Sequence, residues 1–136
     1  MTAYRFSDDP AEMDRELIHS WLSSDAYWAL GRSRDLQDRA IDGSLPFGMF
    51  DASGAQVAFA RLVTDSANFA WLCDVYVSPA VRGDGVGAAL IDGISRHLDG
   101  LGIKRTLLAT RDAHGLYEKF GFEPLAEPDW WMIRQK

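Results

Sequence analysis

The 136-residue chain holds a single cysteine, Cys73, so it can form neither an internal disulfide nor a cysteine-based zinc cluster. That fits a reducing compartment, and no metal is expected. No apolar run approaches the roughly 20 residues a membrane helix needs, and the polar start MTAYRFSDDP lacks the apolar stretch of a signal peptide. A soluble, cytoplasmic protein without membrane contact is expected. Basic clusters are missing too: 14 Lys and Arg are scattered among 20 Asp and Glu, for a net charge of -6. Nucleic-acid binding needs grouped cations to neutralise phosphates, so it is not expected. The acidic balance leans toward a cationic substrate, although it also serves solubility. No repeat or linker-like stretch divides the chain, and residues 1–136 read as one domain.

What is present is a mixed α/β pattern. A short strand near Tyr4 to Phe6 precedes a helix whose start is acidic (Glu12, Asp14, Glu16) and whose apolar face follows at Leu17, Ile18, Trp21 and Leu22. Ser24 to Ser33 reads as a loop and Asp35 to Ile41 as a second helix. Phe47 to Asp51, Gln56 to Thr64 and Phe69 to Val77 are rich in aromatic and branched residues, and the turn Asp51-Ala52-Ser53-Gly54 makes the first two a hairpin. Apolar residues at Val86, Ala89, Leu90, Ile94 and Leu98 have helical spacing, closed by Gly100 and Gly102. Beyond them lie a strand from Thr106 to Ala109, a helix from Ala113 to Phe120, and a final strand near Trp131 to Ile133.

The chemical signal sits between the strand ending at Val77 and the helix beginning at Val86. Arg82-Gly83-Asp84-Gly85-Val86-Gly87 places glycines where the backbone can close on an anion, just ahead of unpaired helix N–H groups. Such a loop is not specific, since glycine also serves tight turns. A nucleoside-triphosphate loop needs Gly-Lys-Ser/Thr, whereas Gly87 is followed by Ala88-Ala89; a dinucleotide site needs an acidic residue on the next strand, and Thr106 to Ala109 has none.

With strand, loop and helix in place, the chain resembles the GNAT superfamily of acyl-CoA N-acyltransferases. Its Gln/Arg-x-x-Gly-x-Gly/Ala motif is met by Arg82, Gly85 and Gly87. Its Asn-x-x-Ala-x-x-Leu-Tyr-Glu-Lys-x-Gly-Phe segment is met by Ala113, Leu116, Tyr117, Glu118, Lys119, Gly121 and Phe122, with Thr110 in place of Asn. The resemblance implies an α/β (α+β) GNAT fold: a mixed, mostly antiparallel sheet of about six to seven strands flanked by about four helices. It implies acetyl-CoA as cosubstrate, held by the backbone of Val75, Tyr76 and Val77 and by Arg82, Gly83, Asp84, Gly85, Val86, Gly87 and Ala88, with Thr110 and Tyr117 nearby. Asp84 is unusual there, so its carboxylate must point away from the phosphates. The implied activity is N-acetyl transfer to a primary amine of a small molecule or peptide, at a splay between the strands carrying Asp74 and Thr106. A homodimer is a further expectation from the family.

Amide formation from a thioester needs a neutral amine, a stabilised oxyanion and a proton for the leaving thiolate. Tyr117, at the family's usual position for the general acid, can supply that proton or merely pack over the cofactor arm. Asp74 interrupts an apolar strand, and alternation puts it on one face with Tyr76. It reads as base, as amine anchor, or as the partner of a cation such as Arg61. Cys73 reads as core packing rather than as a nucleophile, and His114 as a surface group or an assistant to Tyr117. Tyr27, Trp28, Arg32 and Arg34 occupy the loop that in the family borders the acceptor. Two other classes of function remain: a non-catalytic acyl-CoA-binding regulatory module, and an interaction protein that binds no CoA.

Overall fold

In the computed structural model, which describes residues 3–136, a five-stranded sheet runs in the order β1 (Arg5–Ser7), β2 (Leu45–Phe50), β3 (Gln56–Thr64), β4 (Phe69–Val77) and β5 (Arg105–Leu107). Neighbours are antiparallel except β4 and β5, which the crossover helix α3 (Val86–Leu101) makes parallel. Helices α1 (Arg15–Asp25) and α2 (Arg34–Asp42) precede β2, and α4 (His114–Glu118) follows β5. No helix among the described residues is long and apolar enough to cross a membrane.

Local chemistry sets the boundaries. Asp14 and Ser33 accept hydrogen bonds from Leu17 N–H and Leu36 N–H, capping α1 and α2. Asp51 closes the β2–β3 turn by accepting from the N–H groups of Ser53 and Ala55. Gly102, at φ 71°, ends α3 in the left-handed region that a side chain would disfavour.

The sheet is covered on both faces. Phe47, Met49, Leu62, Leu90, Ile91 and Ile94 belong to the core against α3; Ile18, Leu22, Ile41, Phe59 and Tyr76 fill the second core, beneath α1 and α2. The first is tightest where α3 crosses β1. A Cβ built on Gly93 would lie 2.4 Å from the ring of Phe6, itself stacked on Phe47. Gly93→Ala is expected to cost about 1–3 kcal/mol in overpacking, more than the ~1 kcal/mol of helix propensity it returns. A lowered urea midpoint would show this; an unchanged one would mean that the Phe6 ring yields.

Strand β4 breaks the simple alternation expected of it. Phe59 faces Tyr76 and Arg61 faces Cys73, so two steps along β3 oppose three along β4, and Asp74 sits in the bulge at φ 55°. Before the bulge Ala70 and Leu72 face the α3 core. After it Val75 and Val77 pack there, and Tyr76 turns to the other core.

The expectation of six to seven strands is corrected to five among the described residues, and the strand anticipated near Trp131 to Ile133 is not formed. Trp131 has extended dihedrals, but no ladder joins its segment to the sheet, and Met132 and Ile133 are 97% and 76% exposed. Extended sequence preference becomes a strand only beside a partner, and after Pro128 the chain finds none within the fold.

Candidate active site

β4 and β5 pair only from Phe69 to Trp71 against Arg105 to Leu107, and then part. The parting leaves a cavity of about 710 Å³ between residues 71–77 of β4 and residues 108–113 beyond β5. Tyr27 and Trp28 from the α1–α2 loop, Arg82 from the glycine loop, and Leu116 and Tyr117 from α4 complete its wall. The backbone of Val75 to Val77 therefore has no strand partner on the β5 side.

At one end of the cavity the chain turns into α3. Gly85 caps that helix at φ 79°, a left-handed turn without a side-chain hydrogen bond to the helix, so the first-turn N–H groups are available to an anion. Gly83 also has positive φ, and Asp84 N–H is already used by Val81 C=O. The Asp84 carboxylate accepts from Tyr4 Oη at 2.8 Å, toward the N-terminal strand. Arg82 donates from Nε to Val77 C=O at 3.0 Å and lies over the Tyr76 ring. Asp25 joins this corner by accepting from Tyr76 Oη.

Tyr117 is 7% exposed, and its hydroxyl has no hydrogen-bond partner among the described residues. Burial pushes its pKa up to about 12, with the Tyr27 and Asp112 charges adding to the shift. The phenol is thus protonated throughout the neutral range. Phe122 holds the ring edge-on, with centroids 5.8 Å apart. Thr110 Oγ1 accepts from Ala113 N–H at 3.1 Å, so it starts the turn into α4. His114 is exposed and lines a smaller neighbouring groove.

Asp74 is 4% exposed and fully engaged. Its Oδ1 accepts from Trp28 Nε1 at 2.8 Å; its Oδ2 accepts from Arg32 Nη1 at 2.8 Å and from Arg61 Nε at 2.7 Å. Burial by itself would raise its pKa, but the hydrogen bonds from Arg32 and Arg61 and their charges outweigh that and hold the carboxyl below its ordinary range. Arg32 lies behind Asp74, outside the cavity wall, where it also donates to Gln37. Arg34 turns away to pair with Asp38. Cys73 is partly buried; burial pushes its thiol up to about 11, so it is not a thiolate nucleophile at neutral pH.

The sequence reading did not single out Arg111 or Asp25. The Arg111 N–H donates to Tyr27 Oη at 3.2 Å, and its guanidinium lies 3.9 Å from the centre of the Tyr27 ring, bridging the α1–α2 loop to the β5–α4 loop. Asp25 ends α1 and Arg111 lies within the β5–α4 loop, both outside any periodic pattern. The one available signal was Arg111 directly after Thr110 in the second motif.

The Acetyltransferase (GNAT) family pattern matches residues 15–122. A GNAT-family structure from Xanthomonas campestris pv. campestris, titled as an acetyltransferase, is 46% identical, with a TM-score of 0.93 over 100% of this chain and 95% of that one. A Gibberella zeae protein named as an acetyltransferase is 30% identical over 135 residues, covering 85% of this chain and 76% of that protein. Glucosamine-6-phosphate N-acetyltransferase from Arabidopsis thaliana, at 13% identity, TM-score 0.68 and 98% coverage of both chains, shares the fold alone. The chain belongs to the GNAT acetyltransferase family, and acetyl transfer is its general activity.

Proposed function

We propose that the protein transfers an acetyl group from acetyl-CoA directly to a primary amine of a small molecule or peptide. The carrying observation is the cavity at the β4–β5 split, which extends to Arg82 beside the glycine turn and has Tyr117 in its wall. The backbone of Val75 to Val77, which has no strand beside it on the β5 side, suits the amide-bearing arm of CoA, and the first-turn N–H groups of α3 suit its diphosphate. Acetyl-CoA supplies the activated acyl group as a thioester. The chain's residues bind it, exclude water and hold a proton at Tyr117 Oη for the leaving sulfur.

In this reading Asp74 is a positioning carboxylate. Three donors occupy its oxygens, so it fixes Trp28, and with it the loop bordering the acceptor, instead of taking a proton. Tyr27 stands edge-on to Trp28 at 4.9 Å, and the two rings give the acceptor an aromatic wall. A cytoplasmic location belongs to the same reading, in keeping with a chain that carries one cysteine and so no internal disulfide.

Calorimetric titration with acetyl-CoA is expected to show saturable binding, and a thiol-release assay over a panel of amines is expected to show turnover. Absence of binding would defeat the proposal; binding without turnover on any amine would make the chain an acyl-CoA-binding module.

A further inference from the structure

Three aromatic side chains in the wall of the β4–β5 cavity are left open to solvent: Tyr27 at 43%, Trp28 at 42% and Trp71 at 40%. Trp71 stands opposite Leu107 in the last register pair before β5 parts from β4. Its neighbours Ala70 and Leu72 face the α3 core, so alternation points Trp71 to the other face, where the α1–α2 loop carries Tyr27 and Trp28. That end of the cavity lies about 20 Å along β4 from Val77 and the glycine turn, at roughly 3.3 Å per residue. The loop rings are held in place. Trp28 is tied through its indole N–H to Asp74, and Tyr27 stands edge-on to Trp28 with the Arg111 guanidinium stacked over its ring. Asp112 also lines the cavity, and it accepts no hydrogen bond and forms no ion pair among the described residues.

We propose that the acceptor is an arylalkylamine, a primary amine joined to a flat aromatic ring by a short chain, and that Trp71 is the specificity-determining residue that receives the ring against Tyr27 and Trp28. The inference rests on the transferase reading above and adds the class of its acceptor. Exposed rings fixed in a cavity wall gain by covering apolar surface, and a flat aromatic guest adds edge and stacking contacts that an aliphatic guest of equal area lacks. The charge of the amine has a partner as well. Asp74 is filled by three donors and Asp25 holds Tyr76 and Arg82, so Asp112 is the carboxylate of the wall left free for an ammonium. Its charge is felt at Tyr117, so an amine held there lies beside the proposed acid. Arg82 and the glycine turn occupy the opposite end, which leaves donor and acceptor chemistry on separate stretches of β4.

The test is kcat/KM by thiol release, with acetyl-CoA saturating, for phenylethylamine, for cyclohexylethylamine, which is similar in size but not flat, and for spermidine. Phenylethylamine is expected to lead, and Trp71→Ala should lower the phenyl-to-cyclohexyl ratio by about tenfold, a comparison in which the different basicities of the two amines cancel. Trp71→Phe, which restores a ring, should recover most of the ratio. A tryptophan that only supports the fold would lower both rates together and leave the ratio where it was. Ligand-observed NMR of phenylethylamine with wild type and Trp71→Ala reads the same slot without turnover. A spermidine preference, or a ratio that Trp71→Ala leaves within about twofold, would overturn the inference and leave the transferase reading intact. If no amine turns over, the transferase reading fails alone where Trp71-dependent binding persists, and both fail where it does not.

Discussion

Tyr117→Phe should lower turnover by about 10²-fold or more while leaving acetyl-CoA affinity within a few-fold of wild type, since general acid catalysis typically contributes 10²–10⁴. The ring is packed against Phe122 and buried, and phenylalanine preserves that packing. Only the hydroxyl is removed. Direct measurement of kcat, with the cofactor Kd from calorimetry, separates the two effects. An unchanged kcat would remove the acid role and leave Tyr117 as a packing residue. The pKa of about 12 adds a pH signature. The acid form persists well above neutrality, so no fall in rate due to Tyr117 is expected until the pH nears 12, whereas a tyrosine at the ordinary value of about 10 would fail two units earlier.

Asp74→Ala is expected to destabilise the fold by roughly 3–5 kcal/mol, the usual cost of removing one partner from a buried charge group. The two guanidinium groups would be left facing each other with side chains 16% and 14% exposed, and Trp28 would lose the acceptor of its indole N–H. Urea unfolding followed by tryptophan fluorescence measures the loss; a midpoint shift worth less than about 1 kcal/mol would show the cluster to be no more than a surface pair. The pH dependence has a fixed sign. The folded pKa is depressed, so the contribution is complete above the unfolded carboxyl value near 4 and is lost as pH falls through the lower folded value. Acid should therefore loosen the Trp28 loop before it affects the α3 core.

Much of this arrangement is readable from the residues alone. The bounds of β3 and β4 match the expected segments residue for residue, because aromatic and branched runs there end at clear turn residues. The glycine loop lies at the start of α3 as its spacing requires. The partners of Asp74 were only half legible. Arg61 stands on the neighbouring strand and was a natural candidate, but Trp28 and Arg32 reach the carboxylate from a loop 46 and 42 residues away in sequence, and no local pattern encodes such a contact. The bulge was invisible for a related reason. Burial still alternates along β4, so the sequence pattern is unbroken although the direction of the side chains reverses at Asp74. The C-terminal strand was expected from composition, which reports a preference for extended backbone and says nothing of the edge that would receive it.

That reversal makes Asp74 an insertion into an otherwise regular strand. One extra residue lets a single strand furnish Ala70 and Leu72 to one core, then Val75 and Val77 to the same core on the opposite parity, with Tyr76 given to the other. Removing Asp74 would restore ordinary pleating and leave every neighbour on its present side, because Ala70, Leu72, Val75 and Val77 would then alternate on the α3 face with Tyr76 on the other. What the extra position supplies is its carboxylate, and with it the anchor of Trp28, Arg32 and Arg61; the two cores on either side do not depend on it for their parity.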